Sequence, residues 1–123
     1  MQKVIFSLIA AAVLVAAAAK PGQTAGSSLD IGNKSDKCVN IDVIYFNNSG
    51  VEDHHRTFMK PGETRHVYIW PQGTHGSPKV VADIEHCDSR QMIVRRYDYI
   101  PNQGASQLSI HNQGATVIMR HGP

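Results

Sequence analysis

Two cysteines, Cys38 and Cys87, are the only cysteines in this 123-residue chain, and apolar runs lie just inside both of them. One run covers 39–46 and the other covers 80–86. Two cysteines in an exported chain most simply form one disulfide. Closing a loop of roughly 50 residues stabilises a fold by about 4 kcal/mol on the chain-entropy model. The alternative is a pair of thiolate metal ligands, which the absence of a C-x-x-C spacing disfavours. We therefore predict a Cys38–Cys87 disulfide.

The N-terminus has the three parts of an export signal. Lys3 supplies a positive charge, residues 4–19 are apolar apart from Ser7, and 17–19 form a small-residue cleavage site. A membrane anchor is the alternative, but a spanning helix needs about 20 apolar residues and this run is shorter. We predict a signal peptide over 1–19. The mature protein is then secreted, or periplasmic in a bacterium, and keeps no stable membrane anchor.

The charge balance argues against nucleic acid as a partner. The formal net charge is +2, and removal of Lys3 with the signal brings the mature chain closer to neutral. The sequence has no block of basic residues, so the electrostatic footprint of a nucleic-acid-binding protein is missing. The seven histidines are a more notable feature, because histidine gains positive charge between about pH 7 and pH 5.

The remainder divides into a leader and one β domain. Residues 20–37 are rich in Gly, Ser, Asn, Asp and Lys, with Leu29 and Ile31 as the apolar residues of their second half. This composition predicts a flexible leader. From Cys38 to Pro123 no helical periodicity is sustained and turn signals recur every 8–12 residues or so. The pattern predicts a single all-β domain over 38–123, a small antiparallel β-sandwich or open barrel of six or seven strands. The predicted strands cover 39–46, 54–59, 64–70, 79–87, 91–99, 107–111 and 116–121.

The Pro61-Gly62 turn predicts a hairpin between the second and third of these strands. Proline presets φ at the second turn position, and glycine accepts a positive φ at the third. A two-residue loop would fix how the residues of the two strands pair. His55 and His66 would then be diagonal neighbours, about 7–8 Å apart. Alternation assigns to one face of the hairpin His55, Thr57, Met59, His66, Tyr68 and Trp70.

This hairpin face suggests a metal site. His55 and His66, with Met59 nearby, would suit copper, or zinc if a carboxylate joined them. The alternative is a polar-aromatic surface that holds no ion, because two histidines without a third fixed ligand occur by chance in a chain with seven. A copper- or zinc-binding protein is accordingly the second hypothesis for function, and the first requires no cofactor.

Protein binding is the first hypothesis. If Phe58, Val67 and Ile69 face the core, Tyr68 and Trp70 are left exposed, and Tyr, Trp, Met and Arg are enriched at interface cores. The alternative is the reverse orientation, with both aromatic residues packed inside. The loop over 71–78, which contains His75, is a second candidate because it is long, rich in glycine and bounded by prolines.

The adjacent Arg95 and Arg96 could hold an anionic partner together with the tyrosines at 97 and 99. The alternative is an edge strand whose charges block aggregation.

The sequence contains no recognisable catalytic motif, neither G-x-S-x-G nor H-E-x-x-H. A paired-histidine acid–base site at His55 and His66 stays open, and with it a third hypothesis, a small hydrolase. We predict a protein that is not an enzyme.

The positions of Cys38 and Cys87 within the predicted strand order resemble the small β-sandwich effectors secreted by plant-pathogenic fungi. The resemblance covers the domain at the level of topology, and the strands over 107–111 and 116–121 run longer than that pattern. It implies a β-sandwich and an effector-like interaction protein whose partner is another protein. No functional residue is carried over, because a shared fold does not assign a function.

Overall fold

The computed structural model describes residues 26–47, 49–69 and 76–123, which form eight β-strands in two four-stranded sheets. The predicted all-β fold and the Cys38–Cys87 disulfide are both confirmed. In chain order the strands are β1 (Ser27–Asn33), β2 (Cys38–Phe46), β3 (Glu52–Met59), β4 (Thr64–Ile69), β5 (Lys79–Glu85), β6 (Met92–Tyr99), β7 (Gly104–Gln113) and β8 (Thr116–His121).

The two sheets differ in how they are connected. The first sheet has the order β4-β1-β7-β8, and β1 runs antiparallel to β4 but parallel to β7. The second sheet has the order β3-β2-β5-β6 and is antiparallel throughout. One parallel pair therefore departs from the antiparallel pattern that the sequence predicted.

The predicted flexible leader over 20–37 is wrong for residues 27–33, which form the interior strand β1. Leu29 and Ile31 are buried in the core, and Ser27 and Asn33 at either end of the strand are buried as well. Burial alternates along this segment as it does in a strand, but only two of the four inward positions are apolar, and Ser27 and Asn33 occupy the other two. The sequence signal was weak because composition alone resembles a linker, and because the parallel partner β7 lies more than 70 residues away.

The core lies between the sheets and consists of alternating residues from both. In β2, for example, Val39, Ile41 and Val43 are almost fully buried, while the residues between them point away from the core. Burial of one Val or Ile side chain is worth about 1.5–3 kcal/mol. The buried apolar cluster comprises Leu29, Ile31, Val39, Ile41, Val43, Met59, Val67, Ile69, Val80, Ala82, Ile84, Ile100, Leu108, Ile110 and Val117.

The disulfide fastens two neighbouring strands of the second sheet. Cys38 opens β2, and Cys87 follows β5, the strand that pairs with β2. Their Cα atoms are 5.0 Å apart, within the range that a disulfide spans without backbone movement. Cys38 is buried and Cys87 is exposed.

The predicted hairpin of strands 54–59 and 64–70 does not form, because β3 and β4 belong to different sheets. The turn itself is present: the Glu63 amide donates to the Lys60 carbonyl at 3.1 Å, and Gly62 has a φ of 84°. However, the Gly62 amide bonds the Asn33 carbonyl at 2.7 Å, and the Asn33 amide bonds the Glu63 carbonyl at 2.9 Å. These bonds direct the chain onto β1, so the turn crosses from one sheet to the other.

Candidate functional site

The outward side of the second sheet carries most of the charged and aromatic side chains that could form a site. We call it the charged face. It is defined by the register of the strands, because residues on either side of the buried positions of β2 point outward. Its residues are His54, Arg56 and Phe58 on β3, Asn40, Asp42 and Ile44 on β2, Lys79, Val81 and Asp83 on β5, and Arg95, Tyr97 and Tyr99 on β6.

His54 is held between two carboxylates on this face. Its Nδ1 lies 2.9 Å from both oxygens of Asp42, and its Nε2 lies 2.9 Å from Oε2 of Glu52. The hydrogen bond to Asp42, followed by that to Glu52, raises the pKa of His54 above its usual value, and partial burial opposes the shift. Arg56 approaches the same Asp42 carboxylate at 3.5 Å. The carboxylate of Asp42 therefore connects the side chains of His54 and Arg56 across β2 and β3.

A second set of ion pairs lies across β5. Arg95 makes a bidentate pair with Asp83, with Nε–Oδ1 and Nη2–Oδ2 distances of 2.6 and 2.9 Å. Towards the disulfide, Glu85 accepts hydrogen bonds from Asn40 Nδ2 and Arg90 Nε, both at 2.7 Å. Cations and anions therefore alternate across the sheet and neutralise each other locally. Exposed pairs such as Arg95 with Asp83 contribute little to stability, with a median of about 0–1 kcal/mol, whereas Glu85 is itself buried.

Two tyrosines of β6 form an aromatic border to the charged face. Tyr97 and Tyr99 are 60% and 51% exposed. Their ring centroids are 6.2 Å apart with an interplanar angle of 89°, the edge-to-face arrangement that aromatic pairs favour. The Lys79 ammonium lies 4.6 Å from the centroid of Tyr97. These rings are partly fixed by each other and by a cation, so they present a preorganised apolar surface to solvent.

A shallow groove of about 400 Å³ runs between β2 and β3 on the charged face. Arg56 forms part of its wall, and its side chain is 71% exposed. The groove offers both hydrogen-bond donors and acceptors next to the ring of Phe58. It is lined by Asn40, Ile41, Asp42, Arg56, Thr57, Phe58 and Asp83.

The outward side of the first sheet is different, and we call it the polar face. Small or uncharged residues occupy most of its positions, and His66 Nδ1 lies 2.7 Å from Asp30 Oδ1. The residues of the polar face are Thr64, His66 and Tyr68 on β4, Ser28, Asp30 and Gly32 on β1, Ala105, Gln107, Ser109 and His111 on β7, and Ile118 and Arg120 on β8.

The structure does not bring together the residues of the metal hypothesis. His55 pairs with Val43 in the second sheet, whereas His66 lies on the polar face of the first. Met59 is fully buried in the core. Within residues 26–47, 49–69 and 76–123, no group of three or more His, Cys, Asp or Glu side chains could hold a metal ion. The site geometry assumed for copper or zinc therefore depended on a hairpin that does not exist.

The predicted binding residues lie in different parts of the structure. Tyr68 is 46% exposed on the polar face, where its ring covers the backbone of Gly26. Arg95 lies on the charged face, but Arg96 points between the sheets, where its Nε donates to the Val117 carbonyl at 2.9 Å. Trp70 and His75 lie outside the described residues. The three that the structure describes do not form one surface.

Asp42, His54, Arg56 and Asp83 are components of the charged face that the sequence analysis missed. A signal for them existed. In β2, Asn40 and Asp42 alternate with buried valine and isoleucine, which marks an outward polar row within an apolar run. The neighbouring rows could not be aligned with it, because the pairing of β3 was assigned to the wrong strand.

Comparison with known proteins identifies a fold but no family. No family model matches the chain, and no curated protein matches it. Three solved structures share the fold at 7–11% sequence identity: a protein described as "Trapped Toxin" (TM-score 0.51, 7%), listeriolysin O (0.50, 10%) and the T6SS lipoprotein TssJ1 from Pseudomonas aeruginosa (0.50, 11%). At these identities the likeness concerns the fold alone.

The length relationship differs among these three structures. The aligned region covers 78% of this chain in the first two comparisons but only 23% and 22% of the other proteins. For TssJ1 it covers 81% of this chain and 98% of the lipoprotein. The described part of the chain contains no helix long and apolar enough to cross a membrane.

Proposed function

We propose that this is an exported, non-enzymatic binding protein that captures another protein on its charged face. The observation that carries the proposal is the combination of two exposed, mutually packed tyrosines on β6 with a groove between β2 and β3 on the same face of the sheet. Tyr and Arg are the residue types that dominate binding energy at protein interfaces. Side chains on sheet strands hold such a site more firmly than loops do.

The pairing of charges on this face supports a protein partner rather than a highly charged anionic ligand. Arg95 is neutralised by Asp83, and Arg56 and His54 share Asp42. A surface that held an anion through both Arg95 and Arg96 would need the two guanidinium groups on one face, but Arg95 points outward and Arg96 points between the sheets. Exposed tyrosines on the same face as a locally neutral polar groove supply the aromatic and polar groups that protein interfaces combine.

Export is supported by two independent features. The disulfide between Cys38 and Cys87 forms and persists in oxidising compartments. The charged, apolar and small-residue segments of 1–19 have the order of a signal peptide. The compartment is therefore proposed as extracellular, or periplasmic in a bacterium.

The test is partner capture by the immobilised, oxidised protein from the fluid that surrounds the producing cell. We expect Arg56→Ala, which opens the groove, and Tyr99→Ala, which shortens the aromatic border, each to weaken capture at least tenfold. Gln107→Ala on the polar face is the matched control, because it also truncates an exposed polar side chain of a strand.

Thermal unfolding of all three variants checks that the fold survives. Capture that persists at wild-type affinity in both Arg56→Ala and Tyr99→Ala would refute the assignment to the charged face. Equal loss in the Gln107→Ala control would refute it as well.

A further inference from the structure

The edge strands of a sandwich are the places where a further strand can add, because each exposes unpaired backbone groups. The first sheet ends in β4 and β8, and the second ends in β3 and β6. In the described residues, two of these edges are covered by an arginine of the facing sheet. Arg65 Nη2 donates to the Phe58 carbonyl of β3 at 3.0 Å, and Arg96 Nε donates to the Val117 carbonyl of β8 at 2.9 Å.

Strands β3 and β6 are the longest of the four edges, with eight residues each, and β6 is the more apolar of the two. Its eight residues include exposed Met92, Tyr97 and Tyr99, whereas β3 reads Glu-Asp-His-His-Arg over its first five positions. Charged residues on an edge strand oppose further pairing, and exposed apolar residues favour it. Within the described part of the chain, no strand pairs with the free side of β6.

The direction of the free backbone groups on β6 follows from two hydrogen bonds. The Ile100 amide donates to the Pro78 carbonyl at 3.0 Å, so it points towards the β5 side. The Tyr99 amide donates instead to the carboxylate of Asp98 at 2.8 Å, so it points away from β5. Backbone groups alternate sides along a strand, and the register from Arg95 to Tyr99 is regular. The amide and carbonyl groups of Arg95, Tyr97 and Tyr99 therefore point outward.

We propose that a second copy of this chain adds to this edge, with the two β6 strands antiparallel and Tyr97 directly opposite Tyr97 of the other protomer. The two-fold axis then lies perpendicular to the sheet, so residues that face each other must lie on the same side of it. This symmetry leaves a small number of registers, each centred on one residue. The dimer would contain one continuous eight-stranded sheet with a charged face on each half.

Side-chain complementarity selects the register centred on Tyr97. It places Arg95 opposite Tyr99 of the other protomer, a cation and an aromatic ring, and Arg96 opposite Asp98, two opposite charges. Registers centred on residue 95, 96 or 98 would oppose Arg95, Arg96 or Asp98 to itself, and like charges directly opposite are destabilising. Other residues of the strand are uncharged as well, but only the register centred on Tyr97 places Arg96 opposite Asp98. This inference concerns self-association and does not depend on the partner captured by the charged face.

Sedimentation velocity over a range of protein concentrations tests whether the oxidised protein dimerises. We expect a monomer–dimer equilibrium that Tyr97→Lys weakens at least tenfold, because the substitution places two ammonium groups opposite each other. Tyr68→Lys is the matched control, since it makes the same substitution at an exposed tyrosine of β4 and should leave the dimer intact. The groove variant Arg56→Ala should also dimerise normally, which separates failure of this proposal from failure of partner capture.

Cross-linking of variants that carry one added cysteine, with the Cys38–Cys87 disulfide kept oxidised, tests the register and remains informative if Tyr97→Lys fails to fold. Directly opposite residues in a hydrogen-bonded pair have Cα atoms about 5.5 Å apart, within disulfide range. Under mild oxidation we expect Tyr97→Cys to form covalent dimers at least tenfold faster than Arg95→Cys or Tyr99→Cys. A protein that stays monomeric at every concentration, or a dimer that cross-links fastest through another position, would overturn the proposal.

Discussion

The two sheets of this sandwich have the same number of strands but differ in strand connectivity and in the side chains that they present to solvent. In the second sheet, β2 with β3 and β5 with β6 are sequence neighbours, and a disulfide ties the two pairs together. In the first sheet, β1 is paired on both sides with strands distant in sequence. The second sheet presents ion pairs and tyrosines to solvent, and the first presents mostly small or uncharged residues. The charged surface thus lies on the sheet that is cross-linked and locally connected. The stability of the other sheet depends on the residues that it buries against the core.

Removal of the disulfide is the largest expected perturbation of the second sheet. We expect the double variant Cys38→Ala/Cys87→Ala to lose about 4 kcal/mol of unfolding free energy, because a loop with a sequence separation of 49 residues is no longer closed in the unfolded chain. Urea unfolding of the variant and of the oxidised protein measures the loss. A change below about 1 kcal/mol would mean that the strand pairs of this sheet hold together without the disulfide.

Strand β1 gives the matching test for the first sheet. We expect Leu29→Ala to cost about 3 kcal/mol, because it leaves a cavity at a fully buried position between the sheets. Asp30→Ala, one residue away on the polar face, should change stability by less than about 0.5 kcal/mol. Urea unfolding compares the two. If Leu29→Ala were as mild as Asp30→Ala, residues 27–33 would behave as the flexible leader that their composition suggested.

The adjacent arginines of β6 allow the stability contribution of a contact between the sheets to be compared with that of a contact on the surface. Arg96→Ala should cost about 1–2 kcal/mol, because Arg96 donates to the Val117 carbonyl and to Thr116 Oγ1, at 2.9 and 3.2 Å. Arg95→Ala should cost less than about 1 kcal/mol, since its pair with Asp83 is largely exposed. Chemical unfolding of both variants measures the difference. Equal losses would show that the bond from Arg96 across the two sheets contributes no more than a surface pair.

How far the sequence predicted this molecule depended on how local each feature was. The disulfide, the Pro61-Gly62 turn and seven of the eight strands could be recognised from short segments with regular alternation. The pairing of β4 with β1 could not, because Leu29 and Ile31 stand among polar residues and the partners lie far apart in sequence. That single missed strand misplaced His55 and His66 on one face. The charged face was missed for the same reason, since its rows of side chains become visible only when β3 is aligned with β2.

The smallest expected effect is a difference in pH dependence between the two outward faces. On the charged face, hydrogen bonds to Asp42 and Glu52 raise the pKa of His54 above that of an unfolded histidine, about 6.5. Its stabilising contribution is therefore fully present below that unfolded value and is lost as the pH rises through the higher folded pKa. His54→Gln should cost more stability at pH 6 than at pH 9.

On the polar face, burial and then the charges of Arg120 and Lys34 lower the pKa of His111. Protonation of this histidine opposes folding, so its stabilising contribution is present above the unfolded pKa and is lost as the pH falls from there through the lower folded pKa. His111→Gln should therefore cost less stability at pH 6 than at pH 9, the opposite trend to His54→Gln. Urea unfolding at both pH values measures the two trends. If both variants changed with pH in the same direction, the two faces would not differ in their electrostatic environment as these contacts require.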